Sequence, residues 1–131
     1  MASYKKKILI VEDDVALRTL LANHFKTEFE ILEAGDGSKG VQQILDHKPD
    51  LVLLDLLLPN LSGFDLLESV RNNTDPAIAS TKVIILSNLA TSEDILKAKV
   101  LSISDYLVKA NTSLDELYKK ISDAVNQPAS S

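Results

Sequence analysis

The sequence predicts a doubly wound α/β domain: a five-stranded parallel sheet with five helices. Two observations carry that prediction. Five short apolar runs recur along the chain, at Ile8–Val11, Phe29–Ala34, Leu51–Leu54, Val83–Leu86 and Tyr106–Val108. The segments between them carry apolar residues at helical spacing, and strand–helix alternation of this kind implies right-handed crossovers and helices on both sheet faces. A length of 131 residues suits one domain. The expected organisation is a single domain over 1–131, with a core from about 6 to 126 and a tail or linker stub at 127–131.

The first, third and fourth runs are continuous (ILIV, LVLL, VIIL), the pattern of strands buried on both faces of a parallel sheet. The first helix is expected to bury Leu17, Leu20, Leu21 and His24, with Asp14 capping its start. Val41, Ile44 and Leu45 begin a second such stripe, and Gly63, Leu66, Leu67 and Val70 form a third. The stretch Asn72–Thr81 reads as a long polar loop. A short, lightly apolar fourth helix follows around Ile95–Lys99. The fifth is the clearest, with Leu114, Leu117, Tyr118, Ile121, Ala124 and Val125 on one face. Ser113 with Glu116 fits a capping box, while Ser62 with Asp65 and Thr91 with Asp94 place an acid in a first turn.

Composition narrows the function. With no cysteine, disulfides, thiolate metal sites and thiol catalysis are excluded. Lys plus Arg number 14 against 19 Asp plus Glu, a net charge of −5 that argues against a nucleic-acid groove. The basic start precedes an apolar run far too short for a secretory signal, and no run approaches the roughly 18 apolar residues of a membrane span. A cytoplasmic protein that neither enters a membrane nor binds nucleic acid directly is expected.

In open α/β sheets, ligands bind beyond the carboxyl ends of the strands. Glu12, Asp13 and Asp14 follow the first run, Asp55 the third, Ser87 and Asn88 the fourth, and Lys109 the fifth. The second run ends only in Glu33, Ala34 and Gly35. Carboxylates drawn together repel unless a cation sits among them, and an all-oxygen set favours Mg²⁺. Lys109 across the pocket suits an anion. Carboxylate nucleophile, Mg²⁺, hydroxyl and lysine are together the parts for phosphoryl transfer to an aspartate. Each residue has a plainer reading as a helix cap, turn residue or surface lysine, so the functional reading rests on the set. His24 and His47 sit on predicted helices, twenty-three residues apart, and are read as non-catalytic.

The segments KKILIVEDDVALR, LVLLDLLLPNLSGFDLL, VIILSN and DYLVKA resemble the receiver domain of bacterial two-component response regulators. The resemblance runs from about Lys6 to Asn126. It implies the flavodoxin-like receiver fold with strand order 2-1-3-4-5. It also implies that Asp55 accepts a phosphoryl group from a sensor histidine kinase or phosphotransfer protein. Asp13 and Asp55 would ligate Mg²⁺ directly, Glu12 would hold a metal-bound water, and the carbonyl of Leu57 would complete the protein ligands. Lys109 would pair with the phosphoryl oxygens. Ser87 would swing in to bond one of them, and Tyr106 would follow inward as the switch aromatic. Pro59 and Gly63 match the loop and helix start after the phosphoacceptor. The face made by the fourth helix, fifth strand and fifth helix, about Ser92 to Val125, would meet a downstream protein effector, or a second copy in a homodimer. Catalysis would be limited to the domain's own aspartyl phosphorylation and dephosphorylation.

Three departures from the family pattern stand out. Ala110 follows Lys109 where proline is usual, often after a cis peptide. A cis bond before a residue other than proline costs about 3–4 kcal/mol, so a trans Lys109–Ala110 bond is expected. Asn88 follows Ser87 where alanine or glycine is common, and its larger polar side chain at the pocket mouth predicts altered dephosphorylation. Ser102 and Ile103 replace a usual Gly-Ala pair; at a left-handed helix end Ser102 lacks glycine's freedom, which would loosen the fourth helix.

Two other function classes compete. A phosphorylation-independent interaction module would keep the fold and lose the chemistry, and the Ala110 and Asn88 changes favour it while the intact site set opposes it. A haloacid-dehalogenase-type phosphatase would need a second acid two residues after the nucleophile, where Leu57 stands, and a cap domain. A flavin site fails because three acids follow the first strand where a phosphate would sit.

Overall fold

The computed structural model describes residues 4–127, so all but the first residue of the tail expected at 127–131 lies outside them. In chain order the elements are β1 (Lys7–Val11), α1 (Val15–Phe25), β2 (Glu30–Ala34), α2 (Gly37–His47), β3 (Leu51–Leu54) and α3 (Gly63–Arg71). There follow α4 (Pro76–Ala79), β4 (Lys82–Ser87), α5 (Ser92–Val100), β5 (Asp105–Val108), a 3-10 turn at Lys109–Asn111, and α6 (Leu114–Asn126). The strands form one parallel sheet in the order β2-β1-β3-β4-β5. No helix among the described residues is long and apolar enough to cross a membrane.

Alternation along each strand divides the core into two layers. Ile8, Ile10, Leu51, Leu53, Ile84 and Leu86 pack against Leu21 and Phe25 of α1 and Leu117 and Ile121 of α6. Leu9, Val11, Val52, Leu54, Val83 and Ile85 face Ile44 of α2, Leu66 and Val70 of α3, and Ala98 of α5. Both faces of the central strands are therefore covered, which is why their sequences run apolar without interruption.

Three details differ from the sequence expectation. There are six α-helices among the described residues, because the expected polar loop at 72–81 contains α4. Pro76 opens that helix, where a missing N–H costs nothing, and Asp75 caps it by accepting from Ala77 N–H. Ile78 anchors it in the core. On α1, Leu20 and His24 turn outward, while Leu21, Ala22 and Phe25 are buried and Leu17 half-buried. Phe25 is the reason: the largest apolar side chain of the helix pulls its buried stripe toward its own side. Leu45 on α2 is likewise largely exposed. Asp14, Ser62, Thr91 and Ser113 each accept a backbone N–H as expected, but among the described residues no bond from Ser113 N–H to the Glu116 carboxylate closes the capping box.

The chain leaves α5 through Ser102 at φ 59°, the left-handed region expected for that residue. A side chain there carries a steric cost that glycine avoids. Ser102→Gly is expected to raise stability by about 1 kcal/mol, seen as a higher urea midpoint with an unchanged slope.

Candidate functional site

Strand register fixes the site. Val11 stands beside Leu54, Leu54 beside Ile85, and Ser87 beside Val108. The residues that leave these strands, Glu12, Asp55, Asn88 and Lys109, thus emerge side by side at the carboxyl edge. The Asp55 N–H still donates to the Val11 carbonyl (3.1 Å), which keeps the two acidic turns adjacent.

Asp55 is only 5% exposed, and both of its oxygens are engaged. Oδ1 accepts from the Ser87 hydroxyl (2.7 Å) and from Leu57 N–H (3.1 Å). Oδ2 accepts from Lys109 Nζ at 2.6 Å. The same ammonium reaches Glu12 Oε1, also at 2.6 Å, so one cation bridges two buried carboxylates. Asp13 is exposed, yet a carboxylate oxygen from each of Glu12, Asp13 and Asp55 lies within 4.8 Å of the others. Burial pushes the Glu12 carboxyl above the ordinary glutamate value, against the pull of the Lys109 hydrogen bond. Burial would lower the Lys109 pKa, but its bonds to Asp55 and Glu12 outweigh that and hold it above the ordinary lysine value.

The donor set fits a hard divalent cation. Three carboxylates without nitrogen or sulfur suit Mg²⁺, and two of them, Glu12 and Asp55, already share the Lys109 ammonium. Gly63, at the start of α3, has no room for a side chain: a Cβ there would lie 2.3 Å from the Asp55 carbonyl oxygen. That close approach lets α3 begin directly against the Asp55 turn, with Gly63 N–H donating to the Leu56 carbonyl (3.0 Å).

Of the residues picked from the sequence, Glu12, Asp13, Asp55, Ser87 and Lys109 come together. Leu57 follows in the same turn and is 58% exposed. Tyr106 is half-buried on β5, its hydroxyl donating to the Leu89 carbonyl. The Lys109–Ala110 peptide is trans, as is every peptide among the described residues. His24 and His47 are exposed on α1 and α2.

Supports that the sequence does not reveal include Arg18, whose Nη1 donates to the Glu12 carbonyl (2.6 Å) and whose Nε pairs with Glu33 (3.2 Å). A second is the junction of Asp36 with the loop after Asp55. Asn60 Nδ2 donates to Asp36 Oδ2 (3.0 Å), and Gly37 N–H to the Pro59 carbonyl (3.3 Å). The Arg18–Glu33 pair and the Asp36–Asn60 bond join segments distant in sequence, so no local spacing signals them.

Known proteins place the chain. The family model described as response regulator receiver domain matches residues 8–122. The transcriptional activator protein PfeR of Pseudomonas aeruginosa is 38% identical over 104 residues, covering 79% of this chain and 32% of that protein. The Regulator of RpoS of Escherichia coli is 33% identical over 117 residues, covering 88% and 34% respectively. The chain thus spans about a third of the length of these two curated relatives. Among solved structures, the response regulator receiver domain protein (CheY-like) from Methanospirillum hungatei shares 26% identity at a TM-score of 0.85, with 95% of each chain covered.

Proposed function

Because the chain belongs to the response regulator receiver domains, signalling modules of two-component systems, we propose that Asp55 accepts a phosphoryl group from a phosphohistidine on a sensor kinase or phosphotransfer protein. One observation carries this reading. A nearly buried aspartate has both oxygens held by a hydroxyl and an ammonium, beside two further carboxylates. A structural acid would need one such partner; a phosphoryl acceptor needs all of them.

In this reading Asp13, Asp55 and the Leu57 carbonyl would hold Mg²⁺, with Glu12 reaching it through a water. Bound there, the ion would supply positive charge for the acids and for phosphoryl oxygens. Lys109 steadies those oxygens as they arrive, and Ser87 turns from Asp55 to bond one of them. Tyr106 then gives up its bond to Leu89 and moves inward. The face of α5, β5 and α6 changes as a result and meets a protein effector or a second copy of the chain. Leu96 and Val100, two largely exposed apolar side chains of α5, support that assignment. Chemistry is confined to Asp55 itself.

The test is intact mass after incubation with Mg²⁺ and acetyl phosphate, for the wild type and Asp55→Asn. One phosphoryl group is expected on the wild type, dependent on Mg²⁺, and none on Asp55→Asn. An equal gain by Asp55→Asn would move the acceptor elsewhere. A wild type unmodified by acetyl phosphate and by a phosphorylated histidine kinase would favour a phosphorylation-independent module.

A further inference from the structure

The ladder between β4 and β5 ends at Ser87 and Val108. Beyond it the two chains part, one into the loop before α5 and the other into the 3-10 turn at Lys109–Asn111. The first N–H groups of such a turn have no partner within it. Here the Ala110 N–H is taken up by Asn88, whose Oδ1 accepts it at 2.9 Å. Asn88 adjoins Ser87 in sequence, and Ala110 adjoins Lys109. The side chain of Asn88 therefore adds one more rung to the ladder, linking the turns that carry the two groups bonded to Asp55. A proline at position 110 would have no N–H to offer, so the asparagine and the alanine form a matched pair.

We propose that Asn88 is a positioning residue that makes Ser87 and Lys109 leave the resting Asp55 together, and so slows phosphoryl gain. This rests on the reading of Asp55 as the acceptor. Both Asp55 oxygens are hydrogen-bonded at rest. For one to attack phosphorus, Lys109 must shift toward the phosphoryl oxygens and Ser87 must release Oδ1. The new bond then forms between an Asp55 oxygen and phosphorus as the bond from phosphorus to the donor oxygen breaks. With acetyl phosphate, acetate departs with the electron pair. The Asn88–Ala110 bond holds the resting arrangement closed, and its loss lowers the barrier to opening.

The experiment follows phosphoryl gain from acetyl phosphate at fixed Mg²⁺ in the wild type, Asn88→Ala and Asn88→Leu. It also follows hydrogen exchange at the Ala110 amide in each. Asn88→Leu keeps the bulk and removes the acceptor. Both variants are expected to gain phosphate about fivefold faster than the wild type, and their Ala110 amide to exchange about fivefold faster, the scale of one modest hydrogen bond. If Asn88→Ala speeds up while Asn88→Leu matches the wild type, side-chain bulk is the cause and the clip is overturned. Unchanged rates in both variants also overturn it while leaving Asp55 as acceptor. A wild type that gains no phosphate from any donor overturns the underlying reading instead.

Discussion

Lys109→Met is expected to slow phosphoryl gain at Asp55 by about 100- to 1000-fold, the loss seen when one preorganised charge is removed from an active site. Mg²⁺ should bind more tightly to the same variant. Lys109 Nζ occupies Asp55 Oδ2 and Glu12 Oε1, oxygens of the cluster that would serve the metal. At these separations, and with an effective dielectric near 20, removing the competing charge is worth up to a few kcal/mol. Screening by solvent and reorganisation cut that to about a 10-fold gain in affinity. Isothermal titration of Mg²⁺ into the variant checks this, and weaker binding would show that the ammonium does not compete.

The same substitution should destabilise the metal-free protein. Glu12 and Asp55 are nearly buried and would lose their shared cation. Removing one partner of a fully buried pair costs about 3–5 kcal/mol, and since the Lys109 side chain is 19% exposed a loss of about 2 kcal/mol is expected. Saturating Mg²⁺ should restore more stability to Lys109→Met than it adds to the wild type, because it binds the variant more tightly.

Much of this molecule is legible in its amino-acid sequence, for physical reasons that differ by element. Strands such as ILIV and LVLL are buried on both faces, and nothing else of that length suits a continuous apolar run. Caps are legible because a short polar side chain and the N–H it bonds lie three residues apart. The position of Asp55, Ser87 and Lys109 follows from the rule that places sites at strand carboxyl ends. What stays hidden depends on distance across the fold. Arg18 meets Glu33 only because β1 and β2 are neighbours. Asn88 is visible as an unusual residue, but its partner at Ala110 lies 22 residues away on the far side of the next strand. The α1 face is misread because periodicity alone ranks Leu20 and His24 above Ala22 and Phe25. The short α4 is hidden because four residues carry no periodicity.

Arg71→Met is expected to lower stability by about 3 kcal/mol while leaving the chemistry at Asp55 intact. Arg71 closes the last turn of α3, and its guanidinium takes four backbone carbonyls. Nε donates to Leu101 (2.7 Å), Nη1 to Ala79 (2.9 Å) and Thr81 (2.8 Å), and Nη2 to Ser102 (3.1 Å). No ion pair among the described residues includes it, so its charge is met by carbonyl dipoles alone. Burial accordingly lowers its pKa from the ordinary arginine value. These four carbonyls come from the end of α4, the approach to β4 and the exit of α5, three segments that no other side chain among the described residues joins by hydrogen bonds. Hydrogen bonds to a charged group are worth about 1.5–3 kcal/mol each, but the site is partly open, and water replaces several of them in the variant. Arg71→Lys should recover only part of the loss, because an ammonium lacks the planar fork that reaches all four oxygens. Urea unfolding measures both variants, and a loss under about 0.5 kcal/mol for Arg71→Met would show that solvent serves the carbonyls equally well. Thr81 stands at the amino end of β4, the opposite end of the sheet from Asp55. The folded fraction of Arg71→Met should therefore gain phosphate within about twofold of the wild-type rate, since well-separated sites act independently. Hydrogen exchange should rise first at the end of α5, where Ser102 depends on Arg71 to hold a left-handed turn that its own side chain disfavours.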